Sequence, residues 1–130
     1  MQLAPTRDPS KSELEWFRLN PDVGGYASFE DGHVVVNPFN TLTPEENEAL
    51  IRNESARLFM RKHHQARPTF ETTPQQRQMN YPQYAAPAHP QQSLRETVAA
   101  RAVSGDPSAG NITPEQASFV EELKARMGTR

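Results

Sequence analysis

The residues best suited to catalysis or metal binding are few, and their spacing does not form a site. His63 and His64 are the only adjacent histidines, and adjacent residues on a helix point in different directions, which is unsuited to chelating one metal ion. The chain has no cysteine, which excludes a disulfide, a thiolate ligand and a cysteine nucleophile. A Gly-rich phosphate loop, a His-Glu-x-x-His pair and a Gly-x-Ser-x-Gly turn are absent from the sequence. We therefore expect no enzymatic activity, no metal and no cofactor.

The aromatic residues are more informative, because they are spread one or two to a segment. A chain that lies across a partner uses such residues as separate anchors. A small core built from residues 12–62 would instead bury those in the first half of the chain, and both interpretations stay open here. The predicted partner-binding residues are Trp16, Phe17, Tyr26, Phe29, Phe39, Phe70, Met79, Tyr81 and Tyr84.

Short elements with clear start signals must position these residues. Ser10, followed by Glu13 three residues later, forms a capping-box pattern that predicts a helix to about Leu19. Residues 43–46, Thr-Pro-Glu-Glu, combine a cap, a proline at the first helical position and a second capping box. They predict the longest helix of the chain, which should end near Lys62.

A β-hairpin is predicted between these two helices. Asp31 and Gly32 lie between two β-prone runs, and Asp-Gly is typical of a two-residue type I′ turn. With that turn, Ala27 would pair with Val36, and Phe29 would pair with Val34. One face of the hairpin is then apolar and needs a surface to pack on, because an isolated hairpin is marginally stable.

The second half of the chain begins with a proline-rich stretch. Residues 65–92 contain five prolines but no Leu, Ile or Val, which favours an extended Pro/Gln-rich strap with at most one helical turn after Thr73. The strap either wraps a partner or only links the two halves. Capping-box patterns at Ser93 and Thr113 then predict two helices, the first ending at Gly105.

Together these elements predict an α+β fold of low regularity. Its parts are a flexible arm (1–9), a helix–hairpin–helix module (10–64), the strap (65–92) and a two-helix C-terminal segment (93–130). Leu, Ile, Val and Phe make up 23 of the 130 residues, about 18%, and an independent core becomes doubtful below roughly 20%. We therefore expect the chain to bury part of its surface on another protein.

Charge and hydropathy exclude two classes of partner. Fourteen basic and sixteen acidic residues give a net charge of −2, whereas a nucleic-acid binder needs a basic surplus. The longest apolar run is residues 34–36, far short of the roughly 20 residues that span a bilayer. The N-terminus has no apolar signal-peptide segment. We expect neither nucleic acid nor membrane as a partner.

Four blocks of sequence, residues 24–32, 34–38, 53–61 and 104–111, resemble short uncharacterised proteins of tailed bacteriophages that occur near virion structural genes. The similarity covers roughly residues 13–62 and 93–125. It implies a minor virion component that decorates or cements the capsid, portal or head–tail junction. Its partners would be other virion structural proteins (capsid, portal or tail components), in multiple copies. It would be made in the host cytoplasm and located in the virion. The alternative is an intracellular adaptor or regulator that binds one host or phage protein outside the particle.

Overall fold

The computed structural model describes residues 2–78 and 90–128. Five α-helices and a three-stranded mixed sheet confirm the α+β class of low regularity. Two 3-10 turns, His64–Ala66 and Pro107–Ala109, join the longer elements. In chain order the strands and helices are β1 (Thr6–Arg7), α1 (Lys11–Leu19), β2 (Gly25–Ser28), β3 (His33–Val36), α2 (Pro44–Lys62), α3 (Pro74–Arg77), α4 (Pro90–Ser104) and α5 (Pro114–Gly128).

The first two helices begin and end where the sequence predicts. The side chains of the N-caps Ser10 and Thr43 accept the backbone N–H groups of Glu13 and Glu46. Each glutamate in turn accepts the backbone N–H of its cap, so both capping boxes are complete. These hydrogen bonds satisfy N–H groups that have no partner within the helix.

The N-terminal residues do not form the free arm that the composition predicts. Thr6 and Arg7 make β1, which pairs in parallel with β3 at the edge of the sheet. The backbone N–H of Ala4 donates to Ser55 Oγ (2.8 Å), and that of Gln2 donates to the carbonyl of Met127 (2.8 Å). The edge of β3 offers unpaired backbone groups to any extended segment, and a two-residue strand has no recognisable sequence pattern of its own.

The hairpin forms, but its turn is longer than predicted. Ala27 pairs with Val34, and Ser28 pairs with His33, so four residues, 29–32, make the turn. Gly32 has the predicted positive φ (74°), and its N–H donates to the carbonyl of Ser28 (2.8 Å). The Asp31 carboxylate accepts the N–H of His33 (3.1 Å) and stabilises the wider turn. A two-residue shift in register keeps each strand residue on its predicted face, but it moves Phe29 out of the strand.

Arg7 joins three elements through its guanidinium group. It donates two hydrogen bonds to the Glu13 carboxylate (2.7 and 3.1 Å) and one to Asp31 (2.8 Å). It therefore ties β1 to the start of α1 and to the hairpin turn. The hydrogen bond from Arg7 lowers the pKa of Glu13 from 4.5 to about 2.

This pKa shift predicts a dependence of stability on pH. A carboxyl with a lower pKa in the folded state stabilises the fold above its unfolded pKa and loses that contribution as the pH falls. We expect the free energy of unfolding to decrease between about pH 5 and about pH 2, and to decrease less steeply in Glu13→Gln, which keeps a capping amide. Urea denaturation across this range measures both slopes, with Glu15→Gln on the exposed side of α1 as the control. Equal slopes in Glu13→Gln and the unmodified protein would contradict the assignment.

The main hydrophobic core lies between α2, α4 and α5. Half of its twelve residues are alanine or methionine, which a count of Leu, Ile, Val and Phe leaves out. Small side chains let helix backbones approach closely, and methionine fills irregular gaps. The low content of strongly apolar residues therefore underestimates the core. Its members are Ala56, Met60, Ala66, Phe70, Leu94, Val98, Ala99, Ala100, Val103, Val120, Leu123 and Met127.

The first half of the predicted strap belongs to this core. Ala66, Phe70 and Gln76 are 2–3% exposed, and α3 is the predicted single helical turn. The backbone carbonyl of Phe70 accepts a hydrogen bond from Arg95 (2.8 Å), so the extended backbone is anchored to α4. The interpretation of residues 65–78 as a strap around a partner is therefore wrong. Residues 79–89 of the predicted strap lie outside the described residues.

The two C-terminal helices are present, and the first begins earlier than predicted. α4 starts at Pro90 rather than after Ser93, which places Ser93 and Glu96 inside the helix, both nearly buried. Glu96 there pairs with Arg61 of α2 (3.2 Å) instead of capping its own helix. At α5 the predicted capping box is complete, because Thr113 and Gln116 exchange both hydrogen bonds (3.1 Å each).

Candidate partner-binding clefts

Two clefts open on either side of one pair of side chains, Phe29 of the hairpin turn and Arg61 of α2. The Arg61 guanidinium lies over the Phe29 ring, 4.6 Å from its centre, and both residues line both clefts. We call the first the aromatic cleft, which lies between α1, β2, α2 and α4 with a volume of about 510 Å³. The second, the basic cleft, lies between the N-terminal residues, α2 and the end of α5, with a volume of about 870 Å³.

The walls of the aromatic cleft come from α1 and the hairpin. Trp16 and Phe29 are 40% and 44% exposed, and Tyr26 is half-buried beside them. Phe17, the next residue on α1, points inward and is fully buried against Tyr26 and the edge of the Trp16 ring (centroids 5.9 and 5.6 Å away). The packing of Phe17 fixes the side of α1 that faces the sheet and thus holds the Trp16 indole at the mouth of the cleft.

The floor of the aromatic cleft carries charged groups that are held by other protein groups. Arg61 pairs with Glu96, and Arg57 donates to Asn53 (2.9 Å) and to Thr97 (3.1 Å). The Glu54 carboxylate lies 3.8 Å from the Arg57 guanidinium, and burial raises its pKa. Because these charged groups already have partners within the protein, the aromatic walls are the surface that remains for a ligand.

The basic cleft has no acidic side chain among its lining residues. Two of its cations are paired elsewhere, Arg61 with Glu96 and Arg126 with Glu122 (3.0 Å). Within the described residues neither Lys62 nor Arg67 has an ion pair, and Arg67 Nε is buried without a hydrogen-bond partner. The lining cations are Arg61, Lys62, Arg67 and Arg126, with His63 beside them, and apolar lining comes from Leu3, Leu58, Phe59 and Met127.

The structure brings together three of the nine predicted partner-binding residues, Trp16, Tyr26 and Phe29. Phe39 is also exposed (40%), but it contacts Arg18 and lines neither cleft. The predicted anchoring roles of two others are wrong, because both are buried. Phe17 packs beneath α1, and the Phe70 ring meets Phe119 edge-on in the core (5.4 Å). Met79, Tyr81 and Tyr84 lie outside the described residues.

Sequence reasoning about the site missed the charged residues of both clefts. Glu54 and Ser55 interrupt the apolar stripe of α2, and that interruption is the sequence signal of polar cleft residues. Glu54 lines the aromatic cleft, and Ser55 lines the basic cleft. The basic residues at the end of α2 are explained by the helix dipole alone, and Arg67 joins them only because the chain turns back at residues 64–66. The sequence therefore indicates the basic cleft only in part.

Within residues 2–78 and 90–128, no group of three or more His, Asp or Glu side chains could hold a metal ion. No helix in these ranges is long and apolar enough to cross a membrane. No protein-family model, curated protein or solved structure matches the chain.

Proposed function

We propose that the protein is a non-enzymatic structural component of a phage particle that docks onto a neighbouring virion protein through the aromatic cleft. The observation that carries the proposal is the pair Trp16 and Phe29, which line one cleft while 40% or more of each residue is exposed. Large aromatic side chains gathered at an exposed concave surface are typical of protein contacts, where Trp and Tyr are enriched among the residues that dominate affinity. The occupant would be an apolar side chain of the neighbouring subunit.

The charges of the cleft support a binding role over a catalytic one. A general acid or base must be free to exchange a proton with a substrate. Glu96 is held by Arg61, and Glu13 is held by Arg7. The Glu54 side chain is 15% exposed and lies 3.8 Å from the Arg57 guanidinium, so it too is paired with a neighbouring cation.

The phage assignment rests on the sequence resemblance, and the resembling blocks supply much of the aromatic cleft. Block 24–32 supplies Tyr26 and Phe29 to the aromatic cleft, and block 53–61 supplies Glu54, Arg57 and Arg61. The part of the chain that resembles phage proteins thus contains most of the cleft. In this proposal the protein is made in the host cytoplasm and cements the capsid, portal or head–tail junction.

Incorporation of a Trp16→Ala variant into particles tests the proposal. We expect at least a roughly tenfold loss, because truncation of a central aromatic anchor costs about 2 kcal/mol or more. The measurement is the ratio of this protein to the major capsid protein in purified particles, determined by mass spectrometry. Leu19→Ala is a matched control, since Leu19 lies on the same helix, is 81% exposed and lines neither cleft.

Two results would overturn the proposal. Absence of the unmodified protein from purified particles would favour the intracellular adaptor instead. Equal incorporation of Trp16→Ala and Leu19→Ala would show that the aromatic cleft is not the contact. Thermal unfolding of both variants confirms that the comparison is made between folded proteins.

A further inference from the structure

We infer that the basic cleft binds an acidic segment of a partner protein, one that carries apolar side chains between its carboxylates. The inference rests on the proposed function only in taking the partner to be a protein. It concerns a second surface, on the other side of Phe29 and Arg61 from the aromatic cleft.

The charge of the basic cleft is local and incompletely balanced. The whole chain carries a net charge of −2, yet no acidic residue of the described part of the chain lines this cleft. Lys62 is exposed at its rim and has no ion pair among the described residues. A surface of one sign attracts ligands of the opposite sign and raises their rate of association. An acidic ligand would complement this cleft.

Arg67 gives the cleft a group suited to carboxylates. Its Nε is the only buried side-chain nitrogen or oxygen without a hydrogen-bond partner in the described part of the chain, and native proteins rarely leave such a donor unsatisfied. Nε–H and a neighbouring Nη–H of a guanidinium form the planar fork that holds a carboxylate with two parallel hydrogen bonds. An incoming carboxylate would satisfy this donor once the Arg67 side chain turns to expose it.

The apolar part of the cleft favours a peptide over a nucleic acid as its ligand. Leu58, Phe59 and Met127 line it together with Leu3, which is 40% exposed. The imidazole of His63 packs against Phe59 at a tilt of 40°, 4.4 Å between ring centres, and extends this surface. A phosphate backbone gains little from contact with an apolar cleft surface. A peptide can place apolar side chains on that surface, between its acidic side chains.

Binding of labelled peptides to the full chain tests the inference. The probe is a fluorescein-labelled peptide of about ten residues in which leucines are interspersed among glutamates, a length that suits one groove-bound segment. The matched probe has glutamine in place of each glutamate, and a single-stranded oligothymidylate of similar length represents nucleic acid. By fluorescence anisotropy we expect the glutamate peptide to bind at least tenfold more tightly than the glutamine peptide, and to weaken as salt rises from about 0.05 to about 0.3 M.

Variants locate the binding to the cleft. Lys62→Glu changes an exposed residue and should weaken binding of the glutamate peptide at least tenfold, whereas Lys11→Glu, an exposed lysine outside the cleft, should change it less than about twofold. Arg67→Lys keeps the charge but loses the fork, and we expect a loss of about three- to tenfold. Leu19→Ala should leave this binding unchanged, because Leu19 is exposed and lines neither cleft.

Three results would overturn the inference: equal affinity for the two peptides, no effect of Lys62→Glu, or tighter binding of the oligonucleotide than of the glutamate peptide. The last would assign the cleft to nucleic acid. Each of these leaves the particle test of Trp16→Ala standing. Conversely, loss of particle incorporation has no bearing on peptide affinity measured with the isolated chain, so the two proposals fail separately.

Discussion

Replacement of Gln116 by alanine is expected to lower the free energy of unfolding by about 3 kcal/mol, a large effect for a polar residue. Gln116 is fully buried and faces Gln76, which is 2% exposed. The two side-chain amides bond reciprocally. Gln76 Nε2 donates to Gln116 Oε1 (2.7 Å), and Gln116 Nε2 donates to Gln76 Oε1 (2.8 Å). Gln116 Nε2 also donates to the carbonyl of Glu71 (2.8 Å).

The same two glutamines complete the capping boxes of α3 and α5. Gln76 Oε1 accepts the backbone N–H of Thr73 (2.9 Å), and Gln116 Oε1 accepts that of Thr113 (3.1 Å). One amide pair therefore joins two helix starts that are 40 residues apart. Removing the Gln116 amide leaves several buried groups without partners, and each such group costs about 1–3 kcal/mol.

Urea denaturation of three single variants measures the effect. We expect Gln116→Ala to lose about 3 kcal/mol and Gln76→Ala to lose about 2 kcal/mol. Gln75→Ala, which changes an exposed glutamine of the same helical turn as Gln76, should change the stability by less than about 0.5 kcal/mol. The double variant Gln76→Ala/Gln116→Ala should lose less than the sum of its single variants, because neither amide is then left facing an absent partner. A Gln116→Ala protein as stable as Gln75→Ala would show that the pair contributes nothing.

Four of the five helix starts show what the sequence can predict, whereas the pattern at Ser93 lies inside α4, which begins at Pro90. The patterns at Ser10, Thr43, Thr73 and Thr113 all form complete capping boxes, because a capping box involves only four consecutive residues and its hydrogen bonds are local. The meeting of Gln76 with Gln116 is a tertiary contact, and nothing in either four-residue pattern indicates it.

The core shows why composition alone misleads. Ala56 of α2 and both Ala99 and Ala100 of α4 are fully buried, and these two helices share the most extensive contact between elements in the described chain. Alanine adds little apolar area itself but lets neighbouring backbones and larger side chains pack closely. A prediction based on strongly apolar residues therefore favoured a strap and a partner where the chain packs on itself.

The clefts were predictable to different degrees. Local periodicity places Leu14 and Phe17 on one face of α1 with Trp16 to the side, which agrees with the burial of Phe17 and the exposure of Trp16. The position of Phe29 in the same cleft as Trp16 depends on the length of the hairpin turn. The Asp-Gly pattern predicts a turn of two residues, and the turn has four. The basic cleft combines residues from four parts of the chain that are distant in sequence, and only a tertiary structure brings these together.

Gly25→Ala is expected to destabilise the protein by about 3 kcal/mol, through a steric overlap that the sheet cannot relieve. A Cβ at this position would lie 2.5 Å from the carbonyl oxygen of Val35 and 3.2 Å from Val36 Cα. Both atoms belong to the backbone of β3, which is fixed on its other side by β1. Gly25 itself pairs with Val36 at the start of β2, so β2 would have to move away from β3.

The neighbouring glycine provides the control. A Cβ at Gly24 would meet only side-chain atoms, Leu42 Cδ1 at 2.9 Å and the Leu50 methyls at 3.3 and 3.6 Å. These groups can rotate away, so Gly24→Ala should cost about 1 kcal/mol or less. Urea denaturation compares the two variants directly.

Because Gly25 and Tyr26 line the aromatic cleft, a displaced β2 would also move the wall opposite Trp16. Gly25→Ala particles should therefore contain less of the protein than Gly24→Ala particles, even at a growth temperature where both variants remain folded. Equal stability of the two variants would show that β2 has room to shift without loss of its pairing to β3. In that case, the close approach of Gly25 to the Val35 carbonyl would not determine the position of the hairpin. It would also not determine the shape of the cleft between the hairpin and α1.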